Sequence, residues 1–155
     1  MTTFQSLKLQ PELLEIIDSL GFKNPTPVQE KVIPLVLKKE IDLVALAQTG
    51  TGKTAAFGFP LLQKLDLKKR ETQSLIIAPT RELCLQITSE MERYSTSFRG
   101  IGVVAIYGGA NINEQANKIK RGAHIVVATP GRLKDMIRRK MVSNQQISHL
   151  YLIHI

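Results

Sequence analysis

The segment Ala47-Gln48-Thr49-Gly50-Thr51-Gly52-Lys53-Thr54 carries the residue types needed to hold a chain of phosphates. Gly50 and Gly52 let the backbone curl so that successive N–H groups converge on phosphate oxygens, and a helix starting just beyond adds its partial positive charge. Lys53 supplies a point charge for the β- and γ-phosphates, and the Thr54 hydroxyl is a hard oxygen ligand for Mg²⁺. An apolar run precedes the segment and a helical pattern follows it, which is the setting a phosphate-binding loop requires. Ala47 departs from the general pattern, which has glycine there. The plainer reading is a glycine-rich turn that only joins a strand to a helix; Gly-Thr-Gly-Lys-Thr in this context argues against it.

Elements able to position such a loop are legible around it. Short apolar runs at residues 43–47, 74–78, 102–107, 124–128 and 150–155 suit strands buried on both faces. Helical patterns separate them. Thr26-Pro27-Val28-Gln29 reads as a capping box with Pro at the first helical position, Asn111 with Glu114 repeats that logic, and Thr129-Pro130 marks another helix start. After Thr80, the residues Leu83, Ile87, Met91 and Tyr94 form a core-facing stripe. Strands alternating with helices predict an α/β fold, with a parallel sheet covered by helices on both faces. Residues 11–20 and 27–38 are expected to form two helices ahead of the first strand.

Composition bounds the rest. The 155 residues are 43% hydrophobic and 22% charged, ordinary for one globular α/β domain. Lys and Arg number 21 against 13 Asp and Glu, a net charge of +8, which favours a polyanionic partner or simply a basic solvated surface. The clusters Lys68-Lys69-Arg70 and Arg138-Arg139-Lys140 fit either. The single cysteine, Cys84, sits in an apolar run and reads as a small core residue of a reducing, cytoplasmic setting. His124, His149 and His154 lack metal-ligand spacing and read as structural. No run approaches the ~18 apolar residues of a membrane span.

Five motifs in order make the chain resemble the DEAD-box RNA helicases. Phe4 and then Gly21-Phe22-Lys23-Asn24-Pro25-Thr26-Pro27-Val28-Gln29 match that family's Q motif, so residues 1–29 form a Q-motif region. Residues 47–54 match its form of the phosphate loop, Ala47 included. Pro79-Thr80-Arg81-Glu82-Leu83 matches motif Ia, Gly108-Gly109 the paired glycines, and Thr129-Pro130-Gly131-Arg132 motif Ib. The resemblance implies a RecA-like nucleotide-binding domain over residues 1–155, with ATP and Mg²⁺ as cofactors. It implies that Gln29 reads the adenine edge, Phe22 packs on the base, and Lys53 and Thr54 serve catalysis. Pro79, Thr80, Arg81, Gly109, Thr129, Gly131 and Arg132 are then expected to line a sequence-independent track for the RNA backbone. The plainer readings are a capping role for Gln29, Thr80 and Thr129, a core anchor at Phe22, and a solvated first turn at Arg81 and Arg132.

Hydrolysis needs a second Mg²⁺ anchor and a group that orients the attacking water. The family supplies these from an Asp-Glu-Ala-Asp sequence ending an apolar strand. Residues 150–155 look like that strand, yet no Asp-Glu pair occurs in the chain. The expectation is a domain incomplete at its C-terminus, lacking the family's second RecA-like domain. It belongs to an ATP-dependent RNA helicase, or acts alone as an adenine-nucleotide and weak RNA-binding module without turnover. A kinase or GTPase is disfavoured by the Q motif and by the lack of an Asn-Lys-x-Asp signature.

Overall fold

The computed structural model describes residues 2–38 and 42–153. His154 and Ile155, the end of the apolar run at 150–155, lie outside the described residues. The chain divides into two compact units, Met1–Leu65 with Arg93–Arg99, and Asp66–Glu92 with Gly100–Ile155.

The first unit is helical. A 3-10 turn at Phe4–Leu7 leads into α1 (Pro11–Ser19) and α2 (Pro27–Lys38), the two helices expected, and α3 (Lys53–Lys64) follows the glycine loop. Leu13, Ile16 and Ile17 fall on one face of α1 and are buried. Phe59, fully buried on α3, gathers an aromatic cluster, with ring centroids 6.3 Å from Phe4, 6.3 Å from Phe22 and 4.9 Å from Tyr94. The Gln63 side chain ties α3 to the N-terminal segment, accepting from the Gln10 N–H at 2.9 Å and donating to the Lys8 carbonyl at 3.1 Å.

The expected strand at 43–47 is not formed. Residues 42–48 run without strand pairing, and Val44 and Leu46 are 86% and 93% exposed. An apolar run becomes a buried strand only where neighbours satisfy its backbone groups on both sides. Among the described residues nothing pairs with it.

The second unit holds the sheet. Four strands, β1 (Ser74–Ile77), β2 (Val103–Ile106), β3 (Ile125–Ala128) and β4 (His149–Leu152), are all parallel in the order β2-β3-β1-β4. Parallel neighbours require crossovers, supplied by α4 (Arg81–Tyr94, whose last two residues belong to the first unit), α5 (Ile112–Lys120) and α6 (Pro130–Arg138). Leu75, Val104, Ile106, Val126 and Ala128 build one core with Ala116, Leu133 and Met136. From α4 the buried Cys84 reaches β2 and β3, its Sγ lying 3.3 Å from the Val127 carbonyl and 3.9 Å from that of Ile106. β3 is buried along its whole length, as expected. On β4 the pattern alternates, with Leu150 and Leu152 exposed, because among the described residues this strand pairs with β1 alone and nothing covers its outward face. No helix among the described residues is long and apolar enough to cross a membrane.

Candidate nucleotide and RNA sites

In the first unit the loop residues Thr49 to Gly52 turn into α3. Gly50 and Gly52 take φ +76° and +82°, the left-handed region that favours glycine. Three bonds fold the loop on itself and onto α2. Lys53 Nζ donates to the Ala47 carbonyl at 2.8 Å, Thr51 Oγ1 to that of Gln48 at 2.7 Å, and Gln29 Nε2 to that of Gly52 at 3.1 Å. The first N–H groups of α3 have no partner within the helix and the dipole's positive end lies there, so the turn suits an anion. Lys53 and Thr54 occupy that first turn, both half-buried. An ammonium has three donors, so the bond to Ala47 leaves Lys53 able to meet a phosphate.

Gln29 is buried on the first turn of α2. Its Oε1 accepts from the Thr26 N–H at 3.0 Å, half of the expected capping box. The other half is missing. Thr26 Oγ1 is buried without a partner, its methyl turned toward Gly52. The Gln29 amide thus links the helix start to the phosphate loop rather than serving as a cap alone. It keeps one N–H and one lone pair beyond these two bonds. Phe22 is both anchor and open surface, lying 6.5 Å from Phe4 and 6.3 Å from Phe59 by ring centroid while remaining 38% exposed.

Among the described residues no group of three or more His, Cys, Asp or Glu is gathered for a metal. The Thr54 hydroxyl, in the first turn of α3, is a hard oxygen of the kind Mg²⁺ takes together with phosphates and water.

In the second unit the remaining sequence-predicted residues converge at the carboxyl ends of β1, β2 and β3, where open α/β sheets bind ligands. Pro79 and Thr80 leave β1, Gly108 and Gly109 follow β2, and Thr129, Gly131 and Arg132 follow β3. Thr80 Oγ1 accepts from the Leu83 N–H at 3.2 Å and so caps α4. Asn111 Oδ1 caps α5, accepting from the Asn113 and Glu114 N–H groups at 2.9 and 3.2 Å. Thr129 holds the N-cap position of α6, but its hydroxyl makes no capping bond; its N–H donates to the Ile106 carbonyl at 2.9 Å. The Arg81 guanidinium lies 4.8 Å over the Tyr107 ring, and a Cβ on Gly109 would sit 3.6 Å from Arg81 Nη1. Pro79 and Gly131 are exposed.

Arg132 corrects the plainer reading of a solvated first-turn cation. Its Nη1 donates to the Ala110 carbonyl and to Gln115 Oε1, both at 3.0 Å. Gln115 and Tyr107 are the contributors that motif reading missed. A signal existed: Gln115 stands in the stripe Ile112, Gln115, Ala116, Ile119, where a polar residue on a core-facing helix surface calls for a partner.

The two basic clusters differ. Lys68, Lys69 and Arg70 are exposed, whereas Arg138 and Arg139 lie 3.9 and 2.9 Å from Asp135. His124 is buried, accepting the Gly102 N–H on Nδ1 at 3.1 Å, a structural role as expected.

The sequence profile of the DEAD/DEAH box helicases matches residues 26–153. The chain belongs to this family. It is 48% identical over 149 residues to the DEAD-box ATP-dependent RNA helicase CshA of Streptococcus pneumoniae, covering 96% of this chain and 28% of that protein. Among solved structures it resembles a DEAD box protein from the hyperthermophile Methanococcus jannaschii (TM-score 0.92, 38% identity, 98% of this chain and 41% of that one). It also resembles S. cerevisiae Dbp5 bound to RNA and ADP BeF3 (TM-score 0.84, 30% identity, 98% and 38%). The four-stranded parallel sheet flanked by helices is thus that of a DEAD-box RecA-like domain. The chain spans about 28% of the length of the curated relatives it matches.

Proposed function

We propose that this chain is the adenine-nucleotide- and RNA-binding part of an ATP-dependent RNA helicase that locally unwinds RNA duplexes in the cytoplasm. The observation that carries the nucleotide half is the buried Gln29 amide, bonded to the phosphate loop at Gly52, with the partly open Phe22 ring in the same unit. A base read by Gln29 and phosphates held by residues 47–54 would then be sensed by one connected structure. Lys53 meets the β/γ-phosphates and Thr54 shares Mg²⁺ with them. Bound Mg²⁺ neutralises charge on the transferring phosphoryl group.

RNA runs along the carboxyl edge of the second unit's sheet, over Pro79, Thr80, Arg81, Gly109, Thr129, Gly131 and Arg132. Glycine backbone, helix starts and cations suit phosphate and sugar rather than base edges, so recognition is independent of sequence. The structure of Dbp5 with RNA and ADP BeF3 supports this reading by similarity. A second helicase domain supplies the remaining cations for hydrolysis. By itself the 155-residue chain binds without turnover, since it contains no Asp-Glu pair to complete the Mg²⁺ shell and orient water.

Calorimetry with ADP and GDP tests the assignment. ADP is expected to bind more tightly, and equal affinities would remove Gln29 as the base reader. A phosphate-release assay with RNA and Mg²⁺ tests the second reading: turnover that vanishes in Lys53→Ala would show a catalytic centre within these residues.

A further inference from the structure

Gln115 lies on the core-facing side of α5 and is 4% exposed. Its side chain pairs with Tyr107, the first residue beyond β2, as one backbone amide pairs with another. Nε2 donates to the Tyr107 carbonyl at 3.1 Å and Oε1 accepts the Tyr107 N–H at 3.3 Å. The second lone pair of Oε1 takes Arg132 Nη1 at 3.0 Å, and the same Nη1 donates to the Ala110 carbonyl at 3.0 Å. Tyr107 and Ala110 are the entry and exit of the turn that contains Gly108 and Gly109. Tyr107 also carries the Arg81 guanidinium over its ring.

One buried amide therefore joins three segments distant in sequence: the start of α4 through Arg81 and Tyr107, the paired-glycine turn, and the start of α6 through Arg132. We propose that Gln115 is a positioning residue for RNA binding, holding these three segments in the arrangement that meets an RNA backbone. The proposal rests on the reading of the carboxyl edge as the RNA track. Only a side chain with both a donor and a two-fold acceptor can make all three bonds. Glutamate keeps the acceptor for Arg132 but sets a carboxylate against the Tyr107 carbonyl; leucine keeps the volume and loses every bond. A turn held before RNA arrives loses less conformational freedom on binding.

The test is fluorescence anisotropy of a labelled single-stranded RNA against the 155-residue chain, Gln115→Leu and Gln115→Glu, at several salt concentrations, with ADP affinity measured beside it. RNA affinity in Gln115→Leu is expected to fall about tenfold, a difference near 1.4 kcal/mol, while ADP affinity holds. The slope of log K against log salt should also flatten by about 0.7 for each phosphate the protein no longer neutralises, a change that a purely structural role would not produce. Gln115→Glu should fall between the two. Unchanged RNA affinity in Gln115→Leu overturns the proposal and leaves the RNA track intact. Absence of RNA binding by the unsubstituted chain overturns both. Should Gln115→Leu lose ADP and RNA together through unfolding, Gln115→Glu decides: weakened RNA with intact ADP supports the proposal, and unsubstituted affinity overturns it.

Discussion

Gln29 Nε2 donates to the carbonyl of Gly52 across 3.1 Å, joining the residue expected to read the base to the loop expected to hold the phosphates. Its Oε1 simultaneously takes the Thr26 N–H at the start of α2. Replacing Gln29 with alanine leaves the Thr26 N–H without this partner and takes one of two bonds from the Gly52 carbonyl, which also accepts the Ala56 N–H at 3.1 Å; the cost is about 1–3 kcal/mol. ADP binding and the melting temperature should fall together in Gln29→Ala. Calorimetry and thermal unfolding on the same sample check this; a melting temperature equal to the unsubstituted chain's would show that the bond does not exist in solution.

Gly52 is the other end of that bond, and its constraint is twofold. Its φ of +82° is strained for any side chain, and a Cβ there would run into Gln29 Nε2. Gly52→Ala should destabilise the chain by about 1–3 kcal/mol and weaken nucleotide binding. Gly50 is also at positive φ, but a methyl added there would meet open space, so Gly50→Ala should cost less. Equal unfolding midpoints for the two variants would contradict this ranking.

Burial pushes the Cys84 thiol up to about 11, partly offset by the backbone of Ile106. The thiolate is the reactive form. At pH 8 the folded chain should resist alkylation and react only as it unfolds. Iodoacetamide labelling across a urea gradient reads this directly, and fast labelling without urea would place Cys84 outside the core.

His124 provides a pH dependence with a definite sign. Burial lowers its pKa below the usual 6.5, and the nearby Arg70 charge lowers it further, against a smaller opposing contribution from the Lys69 backbone. Its Nδ1 already accepts the Gly102 N–H, so a proton there would set two donors against each other. The folded state binds fewer protons than the unfolded one, so this contribution is complete above pH 6.5 and is lost as pH falls toward the folded pKa. Melting temperature should drop between pH 7.5 and 5.5. His124→Asn, which keeps an acceptor facing Gly102, should show a smaller drop. An identical pH profile in the variant would shift the cause to another group.

Much of this organisation was legible because local chemistry decided it. Pro at the first helical turn placed α2 and α6, Asn111 placed α5, and the apolar runs at 74–78, 102–107 and 124–128 became β1, β2 and β3 within a residue or two. Residues 43–47 read as a strand for the same reasons and are not one, because a strand also needs neighbours, and hydrophobic pattern says nothing of whether they are present. The candidate sites divide in the same way. Gly50 and Gly52 declared themselves by spacing, whereas the bond of Arg132 to Gln115 and Ala110 depends on how α5 and α6 meet β2. No local pattern around Thr129-Pro130-Gly131-Arg132 could reveal that Arg132 Nη1 is held by Ala110 and Gln115.

The apolar side chains left in water give the last prediction. Leu46 is 93% exposed, and Leu150 and Leu152 on β4 are 57% and 71% exposed. Among the described residues β4 pairs only with β1, so its other edge stands open to pairing beside an apolar face, the condition under which strands recruit other chains. The 155-residue chain should bind an apolar dye and self-associate as concentration rises. Leu46→Lys and Leu152→Lys should reduce both effects. Side chains this exposed contribute within about 0.5 kcal/mol to stability, so the melting temperature should hardly move. Sedimentation velocity, dye fluorescence and thermal unfolding of the two variants check this jointly. A drop of many degrees in Leu46→Lys would mean that Leu46 is buried when the chain is free in solution, and that residues 43–47 find strand neighbours there after all.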